Sequence, residues 1–99
     1  MRPIHKAHLD KVRPVLILTR EIVRPHLSNV TVAPITSSIR GLSTEVAVGL
    51  RNGLDQSCVV SCDNITTIPT STLGELIGYF FDVQEPELSR AISLALDLE

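Results

Sequence analysis

Aromatic residues are scarce in this sequence: its 99 residues include one tyrosine, two phenylalanines and no tryptophan. Aliphatic side chains must therefore build most of the hydrophobic core. The sequence also lacks the run of about 20 apolar residues that a membrane-spanning helix needs. No long apolar stretch follows the basic residues near the N-terminus, so we expect no signal peptide, no membrane contact and a cytoplasmic protein. A chain of this length is sufficient for one domain, which we assign to residues 1–99.

Cysteine is also rare, and the two cysteines present, Cys58 and Cys62, are four positions apart. In a continuous strand their Cα atoms would lie roughly 13 Å apart, which is too far for a disulfide that needs about 7 Å or less. A Cys-x-x-x-Cys spacing without a nearby histidine is also a poor zinc site. We therefore expect two reduced, partly buried thiols and no bound metal or other cofactor.

Charge is unevenly distributed along the chain. Residues 1–52 contain eight basic and three acidic side chains, whereas residues 53–99 contain one basic and eight acidic side chains. The net charge of −2 therefore conceals a basic half, which indicates a surface for a polyanion. The two halves of the chain can also interleave in space, and in that case the basic surface would be smaller than the sequence indicates.

Short β-strands are predicted over the first three-quarters of the chain. The apolar run at residues 14–19 fits a strand buried on both faces, and residues 30–36 alternate and are rich in β-branched side chains. Pro34 cannot donate a hydrogen bond to a neighbouring strand, so we expect an edge or a bulge there. Further strands are predicted at residues 3–9, 44–48, 57–61, 64–68 and 75–80, with a helical turn within residues 20–27.

The C-terminal segment changes to helical periodicity. Pro86 suits the first helical turn, whereas the preceding glutamate is a poor N-cap, so packing must hold the helix. The apolar residues that follow have the spacing of one helix face, and they are Leu88, Ala91, Ile92, Ala95 and Leu98. Together, the patterns predict a mainly β fold with a C-terminal helix, either a small barrel or a sandwich.

Two groups of polar residues stand at strand ends, where they can contact a phosphate. Arg13, preceded by Lys11, opens a buried strand, and its guanidinium can hold two phosphate oxygens at once. Thr36, Ser37 and Ser38 end the next clear strand, and their hydroxyls can hydrogen-bond a phosphate. Each group taken alone also fits an ordinary solvated strand end or a capped polar turn.

Three histidines raise the alternative of acid–base catalysis of the ribonuclease type. His5 and His8 are three positions apart, and odd spacing in a strand sends side chains to opposite faces. His26 lies in a proline-containing loop. We therefore interpret all three histidines as structural or surface residues.

Five segments, in order along the chain, resemble signatures of the MazF/PemK toxin family. Residues 12–19 resemble its arginine-proline strand entry, and residues 32–37 resemble its apolar strand that ends in a Pro-x-Thr-Ser motif. Residues 42–46 resemble a Leu-Pro-Thr-Glu-Val segment, and residues 57–68 resemble a strand pair whose centre is an acidic residue followed by an amide. Residues 73–78 and the final helix complete the order. The resemblance is greatest with the mycobacterial branch of the family.

The resemblance implies an SH3-like barrel with a C-terminal helix, assembled as a homodimer. It also implies the toxin of a type II toxin-antitoxin system, a sequence-specific endoribonuclease that needs no metal. The partners implied are single-stranded RNA and a MazE-like antitoxin. The family's catalytic arginine and threonine fall on Arg13 and Thr36, and its RNA-contacting acidic-amide pair falls on Asp63 and Asn64.

Further RNA contacts are expected from Lys11, Thr19, Ser37 and Ser38. The reaction implied is attack of a ribose 2′-OH on the adjacent phosphorus, which leaves 2′,3′-cyclic phosphate and 5′-OH ends. Arginine is a poor base because its pKa stays above about 12, so the proton acceptor stays open between Asp10, Lys11 and a histidine. The alternative is a non-enzymatic toxin with the same barrel, of the CcdB type, which acts on DNA gyrase through protein contacts.

Overall fold

Seven strands and one α-helix make up the computed structural model, which describes residues 1–98. The strands are β1 (Arg2–His8), β2 (Val12–Ile17), β3 (Asn29–Thr36), β4 (Glu45–Val48), β5 (Cys58–Ser61), β6 (Thr66–Pro69) and β7 (Leu73–Phe80). The helix α1 spans Glu85–Ala95, and short 3-10 helices occupy Glu21–His26, Leu50–Asn52, Cys62–Asn64, Thr70–Thr72 and Asp82–Gln84. The predicted mainly β fold with a C-terminal helix is confirmed.

The seven strands form one antiparallel sheet in the order β4-β5-β3-β2-β1-β7, with β6 also paired to β3, and the sheet curls into a half-barrel. Of the edge or bulge expected at Pro34, the edge is wrong, because this order places β3 inside the sheet. One side of β3 pairs with β6 as far as Val32 and with β5 from Ile35. Pro34 therefore lies where β3 passes from one partner to the other, a position at which a missing N–H breaks no ladder on that side.

Both faces of the sheet at β2 are buried, as the apolar run predicted. Leu16 belongs to the main core, which α1 covers. Val15 and Ile17, which point to the other face, belong to a smaller core with β3 and β6 residues such as Val32. The curled sheet therefore carries packed side chains on both faces of its central strands, which holds β2 in place at the point where Arg13 enters it.

The helix α1 packs through the predicted face, with one exception. Leu88 and Ala91 are buried in the main core, and Ile92 and Ala95 pack against it. Leu98 lies beyond the end of the helix and is 68% exposed, so its assignment to the packed face is wrong. The first residue after Glu85 is Pro86, and no side chain caps the helix N-terminus, as the sequence predicted.

Both cysteines are buried thiols. Cys58 begins β5, whereas Cys62 begins the 3-10 helix that follows it, so the two cysteines do not share one continuous strand. Burial raises the pKa of the Cys62 thiol to about 11. Across residues 1–98, no helix combines the length and the hydropathy that crossing a membrane requires.

Candidate active site

The register of β2 against β3 brings the two predicted catalytic residues together. Val15 pairs with Pro34 and Ile17 with Val32 in an antiparallel ladder. Continued by two residues, the same register places Arg13 opposite Thr36, on the face that carries Val15. Both residues line one surface cavity of about 410 Å³, whose floor includes Val15 and Pro34.

The turn before β2 places an acidic side chain beside Arg13. Asp10 Oδ1 lies 3.6 Å from Arg13 Nε and accepts a hydrogen bond from the Lys11 N–H at 3.0 Å. The Lys11 N–H, and after it the Arg13 guanidinium, lowers the pKa of Asp10 below its ordinary value. Asp10 therefore stays ionised near neutral pH, and it lines the same cavity as Arg13.

Thr36 ends β3, and its hydroxyl oxygen takes part in a local hydrogen bond. Its Oγ1 accepts from the Ser38 N–H at 3.1 Å, which fixes the turn that follows the strand. Since Oγ1 acts as the acceptor there, the hydroxyl proton can be donated to a phosphate oxygen. Ser37 and Ser38 are exposed beyond Thr36, at the rim of the cavity region rather than in its lining.

Both residues of the acidic-amide pair lie in the 3-10 helix Cys62–Asn64, and the strand expected at residues 64–68 begins only at Thr66. Asn64 Nδ2 donates to Ser61 Oγ at 2.8 Å, and both residues line the cavity. Asp63 is directed elsewhere, because its Oδ2 accepts a hydrogen bond from Thr44 Oγ1 at 2.6 Å.

Two other predicted contacts lie away from the cavity lining. Lys11 is exposed in the turn between β1 and β2. Thr19 lies past the far end of β2, where its Oγ1 accepts from the Thr31 N–H at 2.8 Å and it lines a separate cavity. Sequence reasoning missed Ser61, although a hydroxyl three residues before an asparagine in a turn is a recognisable side-chain pair.

The histidines of β1 also lie away from the cavity that Arg13 and Thr36 line. His5 Nδ1 is 3.0 Å from the Gly74 carbonyl oxygen, and the His8 ring lies against the same glycine, where a Cβ atom would be 2.9 Å from Nε2. The two imidazoles meet Gly74 because the β1–β7 register shifts between Ile4 and Ala7. Within residues 1–98, no three His, Cys, Asp or Glu side chains gather as a metal site requires.

Comparison with known proteins shows the family of the chain. A family model described as a PemK-like, MazF-like toxin of type II toxin-antitoxin systems matches residues 2–96. The chain belongs to the PemK/MazF toxin family. Endoribonuclease MazF3 of Mycobacterium tuberculosis is 66% identical over 99 residues, which is all of this chain and 96% of that protein. The resemblance found in the sequence segments is thus confirmed.

Solved structures of PemK/MazF toxins have the same fold. The M. tuberculosis toxin MazF-mt6 superimposes with a TM-score of 0.97 at 65% identity, covering 99% of both chains. A mycobacterial endoribonuclease solved in complex with its cognate antitoxin gives a TM-score of 0.87 at 26% identity, covering 98% of this chain and 93% of that chain. The half-barrel with its C-terminal helix is therefore the fold of solved PemK/MazF toxins.

Proposed function

We propose that this chain is the toxin of a type II toxin-antitoxin system and a sequence-specific endoribonuclease that cuts single-stranded RNA without a metal. The observation that carries the proposal is the cavity that Arg13 and Thr36 line together, beyond the Val15–Pro34 end of the β2–β3 ladder. Membership of the PemK/MazF family supports it, since 66%-identical MazF3 is named an endoribonuclease. That relative also favours the nuclease over a gyrase-binding toxin of the CcdB type.

The reaction proposed is attack of a ribose 2′-oxygen on the adjacent phosphorus. The new P–O bond forms as the bond from phosphorus to the 5′-oxygen breaks, and the products are a 2′,3′-cyclic phosphate and a 5′-OH end. DNA is spared because it lacks the attacking hydroxyl. Arg13 would stabilise the negative charge that accumulates on the phosphate oxygens, and Thr36 would donate a hydrogen bond that holds the phosphate in register.

Asp10 is the proton acceptor that fits the geometry best. Of the candidates open from the sequence, Asp10 lines the cavity, whereas Lys11 and the three histidines, His5, His8 and His26, do not belong to that lining within residues 1–98. Its carboxylate is ionised and can take the 2′-OH proton, although its lowered pKa makes it a weaker base than an ordinary aspartate. The leaving 5′-oxygen gains a proton from solvent or from the acid so formed.

Asn64 and Ser61 would contact the RNA on the far wall of the cavity, with Lys11, Ser37 and Ser38 at its edge. The partners proposed are single-stranded RNA and a MazE-like antitoxin that covers this surface. A structure of a mycobacterial endoribonuclease with its cognate antitoxin supports that pairing. We further propose a homodimer and a cytoplasmic location, where RNA and antitoxin are both available.

The decisive experiment is digestion of a long RNA with the purified protein in excess EDTA. Discrete fragments with 2′,3′-cyclic phosphate ends are expected, and Arg13→Ala should slow their formation by about 10²–10³-fold. Arg90→Ala, on the exposed face of α1, is the matched control and should cut at the wild-type rate. Intact RNA across many sequences, or unchanged cutting by Arg13→Ala, would refute the proposal. Intact RNA would favour the alternative of a gyrase-binding toxin of the CcdB type.

A further inference from the structure

A second cavity, of about 350 Å³, lies on the other face of the β1–β2 hairpin and shares Arg13 with the first. Its lining combines residues of β1, β2, β7 and the segment after the 3-10 helix Leu50–Asn52; these residues are Lys6, Val12, Arg13, Pro14, Gly53, Leu54, Asp55, Glu75 and Ile77. A chain of nucleotides whose phosphate is bound at Arg13 can therefore place a neighbouring base in this second cavity.

The wall of this cavity is rigidly attached to the rest of the fold. Gly53 has φ +92°, a left-handed conformation, and a Cβ atom there would overlap the Ile77 carbonyl. A Cβ atom at Gly78 would in turn overlap the carbonyl of Asn52. Backbone therefore packs directly on backbone, which fixes the segment carrying Leu54 against β7 before any ligand arrives.

The chemistry of the lining matches a nucleobase rather than a second phosphate. Val12, Pro14 and Ile77 offer an apolar surface for the flat face of a base. Lys6 Nζ lies 3.3 Å from Glu75 Oε2, so its charge is already partly neutralised. Asp55 has no salt-bridge partner in the described part of the chain. Its carboxylate accepts hydrogen bonds and cannot donate them.

We propose that this cavity is a specificity subsite for a nucleobase with an exocyclic amino group, next to the phosphate bound by Arg13. The amino group would donate to Asp55, as a cytosine N4 does to carboxylates in base recognition. Uracil presents an oxygen at that position, and a carboxylate opposite it would be repelled. The assignment rests on the proposed RNA-cutting function for its biological meaning, but binding to the cavity is measurable without cutting.

The test is an NMR titration of the full-length ¹⁵N-labelled protein with CMP and with UMP, which differ in the 4-amino against the 4-oxo group. We expect shifts of the Gly53, Leu54 and Ile77 amides, with CMP bound at least about fivefold more tightly than UMP. Asp55→Asn should abolish or reverse that preference, because a carboxamide can donate to the uracil oxygen. Asp97→Asn, in the segment after α1, is the matched control and should keep it.

Cleavage of a randomised RNA pool followed by sequencing of the 5′ ends gives the second readout. The wild-type protein should disfavour uridine at one position beside the cut, and Asp55→Asn should restore uridine there while Arg13→Ala lowers all cutting. Equal CMP and UMP binding, or shifts confined to the Thr36 cavity, would overturn the subsite. Selective CMP binding by a protein that cuts no RNA would leave the subsite intact and refute the proposed function.

Discussion

We predict that Asn52→Ala lowers the free energy of unfolding by about 2–4 kcal/mol, far more than an ordinary loop substitution. Asn52 is fully buried, and its side chain connects three segments of the chain. Oδ1 accepts from the Gly49 N–H at 3.1 Å, and Nδ2 donates to the Tyr79 carbonyl at 2.9 Å and to Gln84 Oε1 at 2.8 Å.

The magnitude follows from the groups that alanine would leave without partners. The Gly49 N–H and the Tyr79 carbonyl each lose a bond, at roughly 1–3 kcal/mol for a buried group. Gly49 is half-buried and can recruit water, so its cost falls at the low end. Gln84 adds little, because its Oε1 keeps the Phe81 N–H at 2.9 Å and its Nε2 loses only a long hydrogen bond of 3.5 Å to Asn52 Oδ1. Two affected groups therefore give the stated range, a large share of the 5–15 kcal/mol that stabilises a typical domain.

Urea unfolding followed by circular dichroism and by the fluorescence of Tyr79, the one tyrosine, measures this effect. Arg51→Ala, an exposed neighbour in the same 3-10 helix, should stay within about 0.5 kcal/mol of wild type. A double-mutant cycle with Gln84→Ala should give a coupling energy of about 0.5–3 kcal/mol. If Asn52→Ala lost no more stability than Arg51→Ala, the buried amide network would not be the connection described here.

Three further predictions concern the helix, the site and the buried thiol. Leu88→Ala should lower the free energy of unfolding by about 2–5 kcal/mol because the side chain fills the main core. The exposed control Ser89→Ala should lower it little. Equal losses would contradict the inference that packing stabilises α1. Thr36→Val should slow RNA cutting by about 10²-fold by removing a donor, while Thr36→Ser retains most of the rate; equal rates would remove the hydroxyl from the mechanism. The pKa of Cys62 is raised from 9.0 to about 11, so the unfolded chain loses this proton first and stability should fall as pH rises from 9 towards 11. In thermal melts, Cys62→Ser should lose less stability than the wild type over this pH range. An equal loss would mean that other titrating groups cause the decline in stability.

Local patterns predicted the elements well because each depends on neighbours in the sequence. The apolar run that begins at Pro14 required burial on both faces, and the two cores on either side of β2 provide it. The spacing of Leu88 and Ala91 located α1. The assignment of Leu98 to the helix face was wrong because the apolar spacing continues beyond the end of the helix and no residue in the pattern signals that end. The helix α1 stops at Ala95, and Leu96 is its C-cap.

Partners distant in sequence could not be predicted from the same patterns. Pro34 indicated an edge or a bulge because a proline cannot donate a hydrogen bond to a neighbouring strand. On one side, however, β3 pairs first with β6 and then with β5, and Pro34 lies between the two pairings. Thr19 and Arg13 flank the same strand in the family signature, but their positions at opposite ends of β2 separate them. The register that unites Arg13 with Thr36 comes from the β2–β3 pairing, which sequence spacing alone does not specify.

The uneven charge along the chain does not give the folded protein one basic half, because strand pairing interleaves the two halves. β1, from the basic half, pairs with β7, from the acidic half. Arg2 is bonded to Glu85 at 2.8 Å and Lys6 to Glu75 at 3.3 Å, so these cations are already neutralised. The positive charge at Arg13 is also local, since Asp10 lies 3.6 Å from its Nε, but the other N–H donors of the guanidinium can still hold phosphate oxygens. A local charge of this kind positions the phosphate backbone of an RNA. Discrimination between nucleotide sequences must then come from contacts between the bases and the walls of the cavities on either side.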